Sequence, residues 1–410
     1  MLDLYESTSL SKKKVAQKTG FLDWNMQPSI FKRYPSSLFS YSLSTTPQLR
    51  LLNLTRCVTS EHKIAGKPYK RLNTPSAGNL HPLEVYVQIR GVKGVLSGIY
   101  HLNSDKDKLV LIRDIESDGI ENMVGLSKRF KGMIIMISLV PFRSIWKYQE
   151  RAIRYCYLDL GHQIASLEIA AISEQQKMTF LSDFDTFGLS KKMGMDEQEK
   201  IVSVAVCGEE GHKPVKGLED DVMCVQPTDY YERHKIQESV FNSSQGISSP
   251  GLELKNISCL DEYVLNRRSA REFTLKSIRK EHLERIMHIL LQLPQSISYH
   301  IVLMRGESYK PGLYQGTCLK REGIFVNEIV DLLLHQQFIY NASLVLVFSS
   351  SDFNAIVLTQ AAFYAHSLSV QTHVMGLGLS GVGAFYDQEL QEFLGTQESI
   401  LYCLAIGYTC

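Results

Sequence analysis

The feature that most constrains this 410-residue chain is an internal repeat. Both halves contain, in one order, a proline and serine before a strand-like run, a Gly-aliphatic-Tyr tripeptide, an apolar run, a long helical pattern and a final strand-like run. These features begin at Pro75, Gly98, Met133, Ile153 and Lys200 in the first half and at Pro294, Gly312, Ala342, Ala355 and Ser399 in the second. Five features in one order, offset by about half the chain, indicate a tandem duplication.

Each copy shows the pattern of an α+β fold in which helices flank a central sheet. The run from Met133 to Val140 is almost continuously apolar, as expected of a strand buried on both faces. In the helix that follows, apolar residues alternate at spacings of four and three and form one stripe, namely Ile153, Tyr157, Leu160, Ile164, Leu167 and Ala171. Gly161 and Ala165 are small enough to let a second helix approach closely.

The repeat and the local composition predict four segments. Residues 1–45 form an N-terminal arm, in which the prolines and aromatic residues between Phe21 and Pro35 are typical of an irregular segment packed on a domain surface. Residues 46–210 form the first domain, the polar residues 211–255 a linker, and residues 256–410 the second domain. A chain of this length can bury two cores of ordinary size.

Composition and charge exclude several classes of protein. Hydrophobic residues make up 44% of the chain and charged residues 21%, as in globular proteins, and the formal net charge of +1 predicts neither nucleic-acid nor membrane binding. The longest apolar run, Met133 to Phe142, is too short to span a bilayer, and the N-terminus lacks the layout of a signal peptide. We therefore expect a cytoplasmic protein. The scattered cysteines predict reduced thiols, and no residue spacing predicts a metal site.

The stretch from Arg71 to Val87 begins as a turn and ends as a strand. It is interrupted by prolines and Gly78, and apolar and polar residues then alternate from Leu83. Its hydroxyl, carboxamide and imidazole groups could hydrogen-bond the edge of a flat ligand, and Gly78 would let the backbone approach that ligand. Residue types alone support a simple polar loop equally well.

Residues 75–82, Pro-Ser-Ala-Gly-Asn-Leu-His-Pro, followed by Glu84-Val85-Tyr86, resemble the flavin-contacting loop of the nitroreductase superfamily. The similarity is greatest to the SagB-type dehydrogenases, which include the azoline oxidases of ribosomal-peptide biosynthesis. It extends over most of both halves, roughly residues 45–210 and 256–410. The resemblance implies two tandem nitroreductase-like, FMN-dependent domains that form an intrachain pseudo-dimer.

Three further segments resemble parts of an FMN site. Three arginines and a serine at the start of the second domain suit a phosphate, because a guanidinium offers a fixed fork of donors. They resemble the phosphate- and ribityl-binding Arg-Arg-Ser-x-Arg of the family. A glycine-rich run from Met375 to Phe385 resembles the turn beside the flavin ring. The implied FMN-binding residues are Arg267, Arg268, Ser269, Arg271, Pro75, Ser76, Ala77, Gly78, Asn79, Ser380, Gly381, Val382 and Gly383.

The implied FMN-binding motifs are shared unequally between the halves. The first half has no arginine cluster, and its counterpart of the glycine-rich run, Met178 to Phe184, contains no glycine. The second half has Pro294-Gln295-Ser296-Ile297-Ser298 in place of the Pro75 loop, without asparagine or glycine. Each half therefore carries what the other lacks, which predicts one complete FMN site per chain and one degenerate site.

Lys147 and Tyr148 precede the long helix of the first half. They match the Lys-Tyr pair proposed as catalytic in azoline oxidases, where a similar Lys-Tyr-x-x-Arg context occurs. A partly buried lysine can accept a proton and a phenol can relay one while flavin accepts hydride. A lysine near a helix start and an interface aromatic would explain the same two residues without chemistry.

The resemblance predicts an FMN-dependent oxidoreductase, and three hypotheses about its activity remain open. The first is oxidation of azoline or related C–N or C–C bonds in a modified peptide or small molecule, with other peptide-modifying enzymes as partners. The second is an NAD(P)H-dependent nitro or quinone reductase. The third is a non-catalytic scaffold of a peptide-modifying complex. Lys147 and Tyr148 favour the first hypothesis.

Overall fold

The computed structural model describes residues 4–17, 22–64, 66–243, 246–251, 254 and 260–409. They form two compact units. The N-terminal unit contains the described residues within 23–253 and 258–267, and the C-terminal unit those within 1–22, 254–257 and 268–410. This partition places the first helices in the C-terminal unit and the segment 211–251 in the N-terminal unit. The predicted boundaries of arm, domains and linker stay a prediction.

The helices of the described residues are short, apart from one long helix in each half. In chain order they are α1 (Leu4–Thr8), α2 (Lys12–Ala16), α3 (Arg50–Thr55), α4 (Phe142–Tyr148), α5 (Ala152–Ser173), α6 (Thr186–Lys192), α7 (Lys235–Ser243), α8 (Leu260–Asn266), α9 (Lys280–Leu290), α10 (Val326–Leu332), α11 (Ala355–Val374) and α12 (Asp387–Leu394).

The strands of the described residues fall into two main sheets and two small ribbons. In chain order they are β1 (Ser40–Ser42), β2 (Val58–Ile64), β3 (Lys67–Leu72), β4 (Leu83–Arg90), β5 (Gly98–Asn103), β6 (Lys108–Asp114), β7 (Asp118–Gly119), β8 (Lys128–Leu139), β9 (Thr179–Leu181), β10 (Lys200–Pro214), β11 (Lys216–Gly217), β12 (Ser298–Leu303), β13 (Gly312–Gln315), β14 (Cys318–Glu322), β15 (Leu344–Ser350), β16 (Leu377–Val382) and β17 (Ser399–Tyr408).

The two units contain sheets of matching topology. The N-terminal sheet has the antiparallel order β1-β6-β5-β4-β8-β10-β9, and the C-terminal sheet has the antiparallel order β14-β13-β12-β15-β17-β16. Removing β1 makes the two orders equivalent strand for strand. The long helices α5 and α11 also occupy the same place in the order, each after the central strand and before the edge strand. The tandem duplication and the α+β class are confirmed.

The core of the N-terminal unit is buried on both faces of its central strands. All eight residues of β4 are buried, as are the last seven residues of β8. The six residues of the predicted apolar stripe on α5 are buried too, and the helix packs against α3, α4, α7 and α8. A helix enclosed in this way must be apolar or internally hydrogen-bonded on nearly every side. Its polar residues are consequently matched to specific partners.

Three local expectations were wrong. The leucines from Leu49 to Leu54 predict a helix over residues 46–60, but α3 ends at Thr55, because Val58 begins a strand that pairs with β3. The alternating run from Lys200 predicts a strand that ends in Gly208, but β10 continues to Pro214. Gly208 lies opposite Gly132, and the strands can stay paired there because neither residue has a Cβ, which would collide with the opposite backbone. The glycine-rich run is not a turn throughout. Its residues 377–382 form β16, where a Cβ on Gly381 would collide with the Tyr402 hydroxyl.

The arm residues that the structure describes are partly integrated into the N-terminal unit. Trp24–Met26 form one 3-10 turn, whereas Lys32 is buried and pairs with Glu199 at 2.7 Å. Phe21 lies outside the described residues. No helix in the described part of the chain has the length and apolarity needed to cross a membrane.

Candidate functional site

The turn from Ser76 to His81 is a strained segment held by side chains. Gly78 has φ +63°, and Asn79 and His81 also have positive φ, which is uncommon for residues with a Cβ. The Asn79 amide donates to the Lys70 carbonyl at 2.8 Å, and the His81 Nε2 lies 3.0 Å from Asn79 Oδ1. These contacts keep the turn in a conformation that its backbone alone would not favour.

A buried carboxyl on α5 anchors the start of the turn. The Ser76 hydroxyl donates to Asp159 Oδ2 at 2.5 Å, and the Ala77 N–H donates to Oδ1 at 3.2 Å. Asp159 is 4% exposed, and burial raises its pKa to about 7, against the opposing effects of these two hydrogen bonds and of the Arg56 charge. The carboxyl thus titrates near neutrality while fixing two consecutive residues of the turn.

Lys147 and Tyr148 lie directly beside this turn. They form the end of α4, and a Cβ added to Gly78 would collide with the Tyr148 hydroxyl and lie 3.2 Å from Lys147 Nζ. Glycine is therefore required at position 78 for close packing as well as for its φ. The turn and the end of α4 are about seventy residues apart in the sequence, yet they are in contact. Both were predicted to serve one site.

The surroundings of Lys147 and Tyr148 favour their neutral forms. Burial lowers the pKa of Lys147 and, with smaller effects of Tyr155 and Asp159, raises the pKa of Tyr148. The lysine Nζ lies 4.9 Å from the centroid of the Trp24 ring and 5.2 Å from that of the Tyr148 ring. Among the described residues no carboxylate forms an ion pair with Lys147. Among the described side chains, the two aromatic rings are therefore the groups that stabilise its ammonium form.

Arg267 lies in the same unit as the turn. It is 8% exposed, and its Nε donates to the carbonyl of Asn73, two residues before Pro75. Its charge is near two histidines. Burial and then Arg267 lower the pKa of His162 to about 3, and burial, followed by the charges of three arginines that include Arg267, lowers the pKa of His81. Both imidazoles are therefore neutral, as expected of packed histidines.

The remaining predicted residues form a second group in the C-terminal unit. The Ala270 N–H donates to the Leu379 carbonyl at 3.1 Å, so the segment Arg268–Arg271 lies against β16 beside Ser380. Ser380 is fully buried, and its Oγ has no hydrogen-bond partner in the described structure. Arg268 and Arg271 are exposed, and the Arg271 guanidinium lies 4.5 Å from the Phe338 ring centroid. Gly381 and Val382 complete β16, and Gly383 follows it.

The sequence interpretation missed the residues that support the turn from behind. Asp159 and Arg56 are both buried, and burial lowers the pKa of Arg56 to about 10. Asn73 is buried as well: its Oδ1 accepts from the Cys57 N–H at 2.9 Å, and its amide donates to the Leu54 carbonyl at 2.7 Å. For Asp159 and Arg56 the sequence offered one signal, a charged residue within or beside an apolar pattern. Such a residue indicates a buried partner but does not identify it.

A buried ion-pair network lies next to the turn. Arg143 donates to Glu84 Oε1 at 2.6 Å and to the His81 carbonyl at 2.9 Å, and Glu84 Oε2 lies 3.1 Å from His101 Nε2. Burial would raise the pKa of Glu84, but Arg143 and the hydrogen bond with His101 hold it well below its usual range. The network ties the end of the turn to β4, β5 and α4.

Comparisons with known proteins agree with this architecture. The nitroreductase family profile matches residues 50–209 and 264–408. A curated protein of Methanocaldococcus jannaschii, provisionally named a nitroreductase, is 30% identical over 102 residues, which are 24% of this chain and 52% of that protein. The chain thus spans about half the length of this curated relative.

A solved structure shows the same fold. A crystal structure from Anabaena variabilis, also provisionally named a nitroreductase, aligns with a TM-score of 0.79 and 22% identity over 99% of both chains. An FMN-dependent nitroreductase from Clostridium difficile R20291 aligns over 35% of this chain and 84% of its own, with 19% identity and a TM-score of 0.27, a value too low to support an argument. With the profile matching well over half of its residues in two copies, the chain belongs to the nitroreductase family.

Proposed function

We propose that the chain is an FMN-dependent oxidoreductase of the SagB type, which oxidises azoline or related C–N or C–C bonds in a modified peptide or small molecule. The observation that carries the proposal is the packing of Lys147 and Tyr148 against Gly78. That contact joins the pair matched to azoline oxidases with the turn matched to the flavin loop. Family membership supports the oxidoreductase class, and the Lys-Tyr pair supports the finer assignment.

The residues present fit FMN in chemical type. A phosphate and a ribityl chain need charged and hydroxyl donors, and Arg268, Ser269 and Arg271 lie against the strand that carries Ser380. The buried Ser380 Oγ without a partner is the kind of atom that a bound polar ligand satisfies. In the N-terminal unit, the buried Thr74 Oγ1 beside Pro75 also lacks a partner among the described residues. Arg267 would add a guanidinium next to this turn.

The roles of Lys147 and Tyr148 follow from their surroundings. FMN, when bound, supplies a two-electron acceptor. Oxidation of a C–H or N–H bond also releases a proton, and a lysine whose pKa is lowered by burial can accept it. Tyr148 stays a neutral phenol and can donate a hydrogen bond or pass a proton onward. The rigid turn at Gly78 would hold both groups at one side of the bound substrate.

A second candidate is an NAD(P)H-dependent nitro or quinone reductase, which the family assignment favours. The two candidates differ in what reduces the flavin. We would mix the FMN-loaded protein anaerobically with NADPH, with NADH and with azoline-containing peptides, and follow the flavin absorbance. Bleaching by an azoline peptide and not by nicotinamides supports the proposal. Bleaching by nicotinamides, with no reaction of any azoline, would contradict it in favour of the reductase.

We expect Arg267→Ala and Arg271→Ala to weaken FMN binding. Each removes one guanidinium, and a charge-assisted hydrogen bond contributes roughly 1.5–3 kcal/mol, which corresponds to about a tenfold to hundredfold higher Kd for each variant. Fluorescence titration of the apoprotein with FMN measures the effect.

The two substitutions differ in how much they are expected to destabilise the fold. Arg267 is buried and bonded to Asn73, whereas Arg271 is exposed, so unfolding midpoints must be measured beside affinity. Arg321→Ala is a matched control, because Arg321 also stacks on aromatic rings in the C-terminal unit, over Phe325 and Phe393. Unchanged FMN affinity in both Arg267→Ala and Arg271→Ala would refute the assignment of a phosphate to this cluster.

A further inference from the structure

We infer that Asp159 is a positioning residue, which holds the turn Ser76–Gly78 against Lys147 and Tyr148 and couples the gain or loss of its own proton to the position of that turn. This inference rests on the proposed function for its catalytic consequence. The structural part concerns the protein alone and is testable without cofactor.

The geometry gives Asp159 two contacts, both with the turn. Its two oxygens accept from consecutive residues, the Ser76 hydroxyl at 2.5 Å and the Ala77 N–H at 3.2 Å. The next residue is Gly78, where a Cβ would collide with the Tyr148 hydroxyl. Hence a small movement of residues 76 and 77 necessarily changes the packing of the backbone against the Lys-Tyr pair. Asp159 itself is fixed on α5, within the buried run from Ala152 to Leu167.

No positively charged side chain among the described residues is in direct contact with the Asp159 carboxyl. Among the described residues it forms no ion pair, and the cation that acts on it is the buried Arg56, at the end of α3. The other titratable groups that face it are Tyr148 on α4 and Cys156 on its own helix, and Asp159 contributes to the raised pKa of both. The carboxylate is therefore held by two hydrogen bonds and one cation without direct contact, a balance that allows both protonation states.

Protonation must rearrange the hydrogen bonds. The Ser76 Oγ already accepts the His81 N–H at 2.9 Å, so its own hydrogen is available for the carboxylate. Once Asp159 is protonated, the new O–H needs an acceptor, and the Ala77 N–H cannot provide one. The Ser76 Oγ can accept it only if the serine hydrogen turns elsewhere. The ionised form therefore accepts two charge-assisted hydrogen bonds, whereas the neutral form keeps the bond from Ala77 and must reverse or release the one with Ser76.

The direction of the pH effect follows from burial. The folded-state pKa of Asp159, about 7, lies above the ordinary value of 3.8, so the folded chain binds this proton more tightly than the unfolded chain. The contribution of Asp159 to stability consequently declines as pH rises between these two values and is constant above them. Over the same pH range the ionised carboxylate holds the turn more firmly, because the two hydrogen bonds from Ser76 and Ala77 favour the ionised form. An asparagine keeps the shape, accepts from Ala77 and donates to Ser76, and cannot titrate.

The test uses amide hydrogen exchange of the full apoprotein at about pH 5 and about pH 9, corrected for intrinsic exchange rates. We expect protection of Ala77 and its neighbours to rise at least about fivefold with pH in the parent protein and to be pH-independent in Asp159→Asn. Asp159→Ala should lose about tenfold protection in the turn at the higher pH. Glu121→Gln is the matched control, because Glu121 is a buried carboxyl of the same unit that accepts from Arg90 and Phe130 instead.

The outcomes separate this inference from the proposed function. An identical pH dependence in the parent and Asp159→Asn, or an equal loss in Glu121→Gln, overturns the inference. If Asp159→Ala does not fold, Asp159→Asn and Ser76→Ala still decide it, since both should abolish the pH dependence. With FMN-loaded enzyme, Asp159→Asn should remove one limb of the pH–kcat profile and leave KM nearly unchanged. A protein that binds no FMN would refute the proposed function, and the exchange result would stand.

Discussion

Lys147→Ala and Tyr148→Phe should retain a full flavin spectrum and slow substrate-driven flavin reduction by about 10²–10⁴-fold, the usual contribution of a general acid–base group. The reason is local. Lys147 has a pKa lowered by burial, and the Tyr148 hydroxyl touches the backbone of the turn at Gly78. Water could replace either group only in part, because the site around them is half-enclosed by aromatic rings. Stopped-flow absorbance under anaerobic conditions measures the rate.

Two matched controls are present in the same unit. Burial also lowers the pKa of Lys200, whose Nζ donates to the Phe241 carbonyl, and it raises the pKa of Tyr157, whose hydroxyl donates to the Val240 carbonyl at 2.7 Å. Lys200→Ala and Tyr157→Phe should therefore leave the reduction rate unchanged. Reduction at the parental rate in both Lys147→Ala and Tyr148→Phe would leave this pair a structural role, and would favour a reductase whose substrates take their proton from water.

Arg143→Met should destabilise the N-terminal unit by roughly 3–5 kcal/mol, since removing one partner leaves a buried charge uncompensated. Arg143 is fully buried and is the cation that Glu84 contacts at 2.6 Å. Of the other groups that bond to Glu84, the Lys32 backbone N–H is uncharged, and His101 is charged only when protonated. Urea denaturation at neutral pH measures the free energy of unfolding.

The pH dependence of the Glu84–Arg143 pair has a definite sign. Because the folded-state pKa of Glu84 is depressed, the stabilisation is complete above the ordinary carboxyl pKa and is lost as pH falls below it. The difference between parent and Arg143→Met should therefore shrink in acid. Arg233→Met is the control, since Arg233 is 72% exposed and its ion pairs with Glu197 and Glu238 are long. A change no larger than that of the control would show that the network does not stabilise the fold.

Much of the fold was predictable because its signals are local and repeated. The apolar run at Met133, the stripe on α5 and the final strands each follow a regular period, and their recurrence in one order predicted the duplicated sheet topology. The wrong expectations concern positions decided by a partner strand. The Gly208–Gly132 pair lets β10 continue, and the pairing of Gly381 with its neighbours in β17 converts a glycine-rich run into a strand. Neither partner is visible from the local sequence.

The candidate site, like the fold, was predictable from the sequence only in part. The sequence singled out the turn at Gly78 and the pair Lys147–Tyr148, because their residue types form short motifs, and these residues are in contact. It did not identify Asp159 as the anchor of the turn, since a single carboxyl within an apolar helix pattern does not name its partner. Lys32 is a similar case: it lies in an arm rich in prolines and aromatic residues, and its buried pairing with Glu199 depends on tertiary contacts alone.

The flavin content of the purified protein tests the central claim most directly. The apoprotein would be titrated with FMN, freed of excess ligand, denatured and assayed for flavin and protein. The motifs that resemble parts of an FMN site, namely the Arg267–Arg271 cluster, the run with Ser380 and the turn at Gly78, each occur once in the sequence. They therefore predict about one FMN per chain. A value near zero would contradict the assignment of FMN, and a value near two would contradict the claim that only one complete site exists.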